Sequence, residues 1–109
     1  MKRVSLNRAL VLEQPERVAD GAGGFGTIWQ SLGTLWADVQ EGSGREARGP
    51  AGAVSRLALR ITVRGAAFDS PKRPRAGQRF REGPRVFSVD AVAEAGMFLV
   101  CHAHEEVAQ

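Results

Sequence analysis

The chain reads as all-β: a small single-domain β-barrel of five to six antiparallel strands with two long loops. Three observations predict this. The 109 residues hold several short apolar segments in strand-like alternation, glycines and prolines separate them, and only one stretch has a helical period. The clearest segment runs Arg-Leu-Ala-Leu-Arg-Ile-Thr-Val-Arg, from Arg56 to Arg64. In an extended chain Leu57, Leu59, Ile61 and Val63 share one face. Arg56, Ala58, Arg60, Thr62 and Arg64 share the other, so three guanidinium groups face water or an anion.

The elements follow in order. Ala9 to Leu12 is a short apolar run, and Glu13, Pro15, Glu16 and Arg17 after it suit an edge strand or a frayed arm. Residues 20–26 form a glycine-rich loop. Residues 27–39 are ambiguous: Ile28, Leu32, Leu35, Trp36 and Val39 fall at helical spacing, yet the segment also reads as a strand. In the strand reading Trp36 lies with Thr34 and Asp38, opposite Leu35, Ala37 and Val39. A large aromatic side chain on a polar face is a candidate interface anchor, whereas Trp29 is expected in the core. Residues 41–52 are rich in glycine and charge, without a large apolar side chain, and read as the first long loop. After the Arg56–Arg64 strand, residues 65–77 carry Pro71 and Pro74 among Lys72, Arg73 and Arg75 and form the second. Residues 79–81 and 85–92 are strands joined by Glu82-Gly83-Pro84. Gly96 turns the chain into a last strand, residues 97–103, before a polar tail from Glu105. The expected core is Leu57, Leu59, Ile61, Val63, Phe87, Val89, Leu99 and Cys101.

Length gives one domain with a small core, residues 1–109. The single Cys101 has no partner for an internal disulfide and reads as a buried thiol. Neither a signal peptide nor a transmembrane segment is expected, which points to a protein made and kept in a cytoplasm, or assembled from there, and to no membrane partner. Charge is polarised. Residues 56–85 hold nine Lys and Arg against Asp69 and Glu82; the remainder holds six against ten. Such polarity points to a charged partner or cavity.

Chemistry-bearing motifs are sparse. Gly21-Ala-Gly23-Gly24-Phe-Gly26 fits the dinucleotide fingerprint, but no buried strand precedes it, and a turn is the better reading. His102 and His104 share a strand face, yet a structural zinc site needs four ligands and Cys101 points away. No catalytic constellation, metal site or cofactor is expected. The basic window has only Phe68, Phe80 and Phe87 as aromatics, too few for a stacking platform. It suits a sequence-blind contact with phosphates better than base recognition.

The order of these features resembles a known family. Leu6-Asn7-Arg8, Asp20-Gly21, Gly23-Gly24, Trp29, Trp36-Ala37-Asp38-Val39 and Gly44-Arg45-Glu46 are followed by the Arg/Ile/Val strand. Gly77-Gln78-Arg79-Phe80, Val86-Phe87-Ser88-Val89, Glu94 and Phe98-Leu99-Val100-Cys101 close the series. The chain is similar to the phage head–tail joining proteins, also called head-closure or stopper proteins, above all to the version of alphaproteobacterial gene transfer agents. The resemblance covers residues 6–106. It implies a β-barrel without enzymatic activity, and it favours strand over helix for residues 27–39. It further implies a homo-oligomeric ring of six, or alternatively twelve, subunits in the particle neck. That ring sits between a portal-bound adaptor and a tail terminator, around packaged double-stranded DNA held without sequence specificity.

On this reading Trp36, Arg56, Arg60 and Arg64 are interface candidates. Arg45, Glu46 and Arg48 lie on the candidate channel loop. Lys72, Arg73 and Arg75 suit DNA or an acidic neighbour. The alternative is a standalone nucleic-acid-binding barrel of the OB or SH3-like type; a nucleotide-dependent enzyme is a more distant third.

Overall fold

The computed structural model describes residues 3–46 and 54–108. Six strands make up the fold: β1 (Arg8–Ala19), β2 (Phe25–Glu46), β3 (Val54–Arg64), β4 (Arg79–Glu82), β5 (Arg85–Ala95) and β6 (Phe98–Ala108). All pairings are antiparallel, and the sheet closes as a barrel in the order β1-β2-β3-β6-β5-β4.

Residues 27–39 lie within β2, so the helical spacing does not become a helix. The strand is rich in β-branched and aromatic side chains, and β1 supplies its ladder. The false period has a structural source. Leu12 pairs with Gly33 and Glu13 with Ser31, which leaves Leu32 as the extra residue of a bulge. A bulge reverses the inward parity of a strand. Leu32 at the bulge and Leu35 after it therefore both pack against the core, three residues apart. Gly33 has φ +128, and a Cβ there would stand 2.8 Å from the Lys72 side chain. The backbone conformation there is one that only glycine adopts readily.

The core comprises Leu10, Leu12, Ala37, Leu59, Ile61, Val63, Phe80, Phe87, Val89, Leu99, Cys101 and Ala103. Leu57, expected there, is only partly buried at its margin. Leu10, Leu12 and Phe80 join it because β1 is not an edge over its first half. Val11, Leu12 and Glu13 pair with β4 as well as β2, and β1 becomes an arm only beyond that point, where Pro15 costs no second ladder. Trp29, on β2 opposite Pro15 of this arm, is outside the core, beneath the Arg79 guanidinium at 4.1 Å.

Two further expectations change. Residues 41–46 are strand and not loop, because β2 continues along β3 through Arg45–Leu57 and Glu46–Arg56. The remainder of that predicted loop, with Arg48, lies outside the described residues. The polar tail is also strand: Glu105 pairs with Leu57 and Glu106 with Arg56, and β6 runs to Ala108. A strand of 22 residues at roughly 3.3 Å each would measure about 70 Å if straight. The longest extent of the molecule is 50 Å. β2 bends at its bulges, and its two ends form hairpins with β1 and with β3.

Candidate functional site: the outer face and the barrel seam

The seam between β1 and β4 has only three residue pairs, and side chains complete it. Glu13, 5% exposed, accepts from Arg79 Nε at 2.7 Å and Arg81 Nε at 2.8 Å. Burial penalises its charge, but the hydrogen bonds from Arg81 and Arg79 prevail and hold the carboxyl below its ordinary value. Arg8 makes a two-point contact with Glu82 at 2.6 and 3.0 Å, and Gln78 donates to Gln14 at 2.6 Å. Between β5 and β6, Arg85 makes a similar pair with Glu105 at 2.8 and 2.9 Å.

These pairs account for much of the charge polarity in the sequence. The cations of residues 56–85 fold against acids from elsewhere in the chain. Arg79 and Arg81 take Glu13, Arg85 takes Glu105, Arg73 takes Glu94 and Arg56 takes Glu106 at 3.5 Å. Among the described residues, Arg60, Arg64, Lys72 and Arg75 make no ion pair.

The loop of residues 65–77 is folded upon itself. Arg73, placed by the sequence among candidate surface cations, is 8% exposed. It donates to the Ala66 carbonyl at 2.6 Å and to Glu94 at 3.2 Å, and it covers the Phe68 ring at 4.1 Å. Arg75 is exposed but donates to the Phe68 carbonyl. Pro74 is fully buried. Lys72 is exposed, so of the three cations it is the one whose charge the loop leaves open to a partner. Phe80 and Phe87 are in the core, which removes two of the three aromatics from any stacking face.

Trp36 is 59% exposed on the outer face. It borders a groove of about 660 Å³ shared with Leu6, Leu35, Ala66, Ser70, Arg64 and Lys72. Leu6 reaches this groove because the N-terminal segment is tied across β2. The Ser5 amide donates to buried Asp38 at 2.7 Å and the Asn7 amide to the Ala37 carbonyl at 3.1 Å. The alternation around Trp36 and Arg64 marks their side of the sheet. Leu6, Ala66 and Ser70 join through tertiary contacts that no local pattern announces.

A second hollow, about 430 Å³, lies between β3, β5 and β6 and is lined by Arg56, Arg60, Asp90, His102 and His104. Asp90 is the extra residue of a bulge between Val89 and Ala91, and its carboxylate meets His104 Nδ1 at 2.8 Å. No three His, Cys, Asp or Glu side chains among the described residues are grouped to hold a metal ion. Arg45 and Glu46 lie at the far end of β2, where the strand pairs with Leu57 and Arg56 of β3. The glycine motif of residues 21–26 is a hairpin turn. The Asp20 carboxylate already accepts from the Ala22 and Gly24 amides at 2.8 and 3.0 Å, where a phosphate would need those donors. Cys101 is buried, and desolvation pushes its thiol up to about 12.

Comparison with known proteins completes the description. The family model for phage head completion protein matches residues 1–106. No curated protein matches. A chain in the solved structure of the virion of a native gene transfer agent particle is 46% identical, with both chains covered over 100% of their length and a TM-score of 0.83. The chain belongs to the phage head completion protein family, a family of structural head components rather than of enzymes.

Proposed function

We propose that this protein forms a ring in the neck of a tailed phage-like particle, between a portal-bound adaptor and the tail, where it closes the DNA channel and joins head to tail. The observation that carries the reading is the full-length likeness, at 46% identity, to a chain of a gene transfer agent virion. Its fold supports the role. A closed barrel provides a stiff body, and at one end β2, β3 and β6 continue side by side to Glu46, Val54 and Ala108.

In this proposal six copies, or twelve, form the ring. Trp36, Arg56, Arg60 and Arg64 contact neighbouring subunits or neighbouring virion proteins. The β2–β3 hairpin, with Arg45, Glu46 and Arg48, faces the channel. Packaged DNA is met through its phosphates alone, so affinity falls with salt and not with sequence. Deleting the gene tests the role. Packaged heads that lack tails and lose their DNA support it; tailed particles that retain DNA refute it.

A further inference from the structure

Resting on that reading, we propose that the Trp36 groove is the docking site for an extended, acidic segment of another virion protein, one that inserts a large apolar side chain beside Trp36 and sets carboxylates against Lys72 and Arg64.

The argument is one of complementarity. Leu6, Leu35 and Ala66 give the groove apolar walls, and Trp36 leaves more than half of its surface in water. A tryptophan so exposed is a typical anchor of a protein interface. The charge in the groove has one sign. Arg64 and Lys72 line it, no carboxylate among the described residues does, and neither cation has an ion-pair partner there. Arg73 in the same loop and Arg79 after it do have acidic partners, so Arg64 and Lys72 stand out as the two bare cations that share this groove. An apolar segment alone would leave both cations uncompensated on burial, and a phosphate backbone would leave the tryptophan and leucines unused. An apolar residue flanked by Asp or Glu satisfies both.

The site is also prepared in advance. The Lys72 side chain lies over Gly33, which has no side chain to displace it. The Lys72 amide donates to Ser70 Oγ at 3.1 Å, and Arg73 fastens the same loop from beneath. Docking onto ordered groups costs less conformational entropy.

The chain's lysines are Lys2 and Lys72, which allows a direct test in unmodified particles. A water-soluble carbodiimide joins an amine to a carboxylate in contact with it, as an amide with loss of water. Purified particles are treated, digested and read by mass spectrometry. The expected product links Lys72 to an Asp or Glu of a different virion protein, within a few residues of a Leu, Ile, Met, Phe or Trp. Particles carrying Trp36→Ala or Arg64→Glu should give at least tenfold less of it per copy, while the isolated variants unfold at the wild-type temperature. Coupling to a second copy of this chain, coupling to a segment without an apolar residue, or free acetylation of Lys72 in intact particles overturns the inference and leaves the neck assignment standing. Absence of the chain from the particles overturns both.

Discussion

Glu13 sits where the sheet closes on itself with only three ladder pairs, and it holds both Arg79 and Arg81 across that seam. Glu13→Gln should cost about 1–2 kcal/mol; hydrogen bonds between charged groups are worth about that, and the share of Arg81, 40% exposed, is screened. The pH dependence follows from the lowered carboxyl. The unfolded chain binds the proton at a higher pH than the folded one, so the contribution is complete above the ordinary value of 4.5 and fades as pH falls through the folded value. Thermal unfolding of the two proteins should therefore differ at neutral pH and converge in acid; a gap independent of pH would contradict the assignment. Ile61 presents the apolar counterpart. Ile61→Asp buries an unpaired carboxylate at several kcal/mol or more, against a total stability of about 5–15, and should abolish folding as read by circular dichroism. The Cys101 thiol, held up at about 12 in the barrel interior, should resist a disulfide reagent at pH 8 until the protein is unfolded.

At the scale of elements, β2 shows what the sequence could reveal. Strand alternation is a local property, so β3, β4 and β5 were legible from side-chain order alone, whereas the outward Trp36 followed only once the family resemblance favoured strand over helix. The helical period of residues 27–39 misled because a bulge brings Leu32 and Leu35 to the same core, and the spacing of three imitates a helix. Residues 41–46 and 105–108 looked like loop and tail because their composition is polar, yet a ladder needs only backbone groups, and each of those segments is paired by β3. Leu10 and Leu12 were missed as core for the reverse reason: the charges after them describe the arm and not the barrel wall. Function divides along the same elements. Trp36→Ala should leave the monomer folded, since the side chain is outside the core, and should impair particle assembly; a monomer that unfolds instead would make Trp36 a structural residue. The 65–77 loop is fastened by Arg73, Pro74 and Phe68 and suits a fixed contact. Shortening the β2–β3 hairpin within residues 41–52 should then let packaged DNA leak while the neck still forms. Leakage after altering residues 65–77, with DNA retained in the hairpin deletion, would reverse that assignment.

For the molecule as a whole, the surplus of positive charge in one third of the sequence mostly resolves into pairs between neighbouring strands, from Arg79 and Arg81 to Glu13 and from Arg85 to Glu105. Sequence-local charge exaggerates the basic face because those acids lie 66, 68 and 20 residues from their partners. What remains is a small barrel with a bare groove around Trp36, a polar hollow beside Arg60, and an end where β2, β3 and β6 run on together. Such a body suits assembly between larger parts better than catalysis. The ring itself is the central claim, and electron cryo-microscopy of intact particles tests it most directly. The account predicts a closed ring of this barrel between portal and tail, with the β2–β3 hairpins directed toward the channel axis. Density for this chain elsewhere in the particle, or none at the neck, would contradict it.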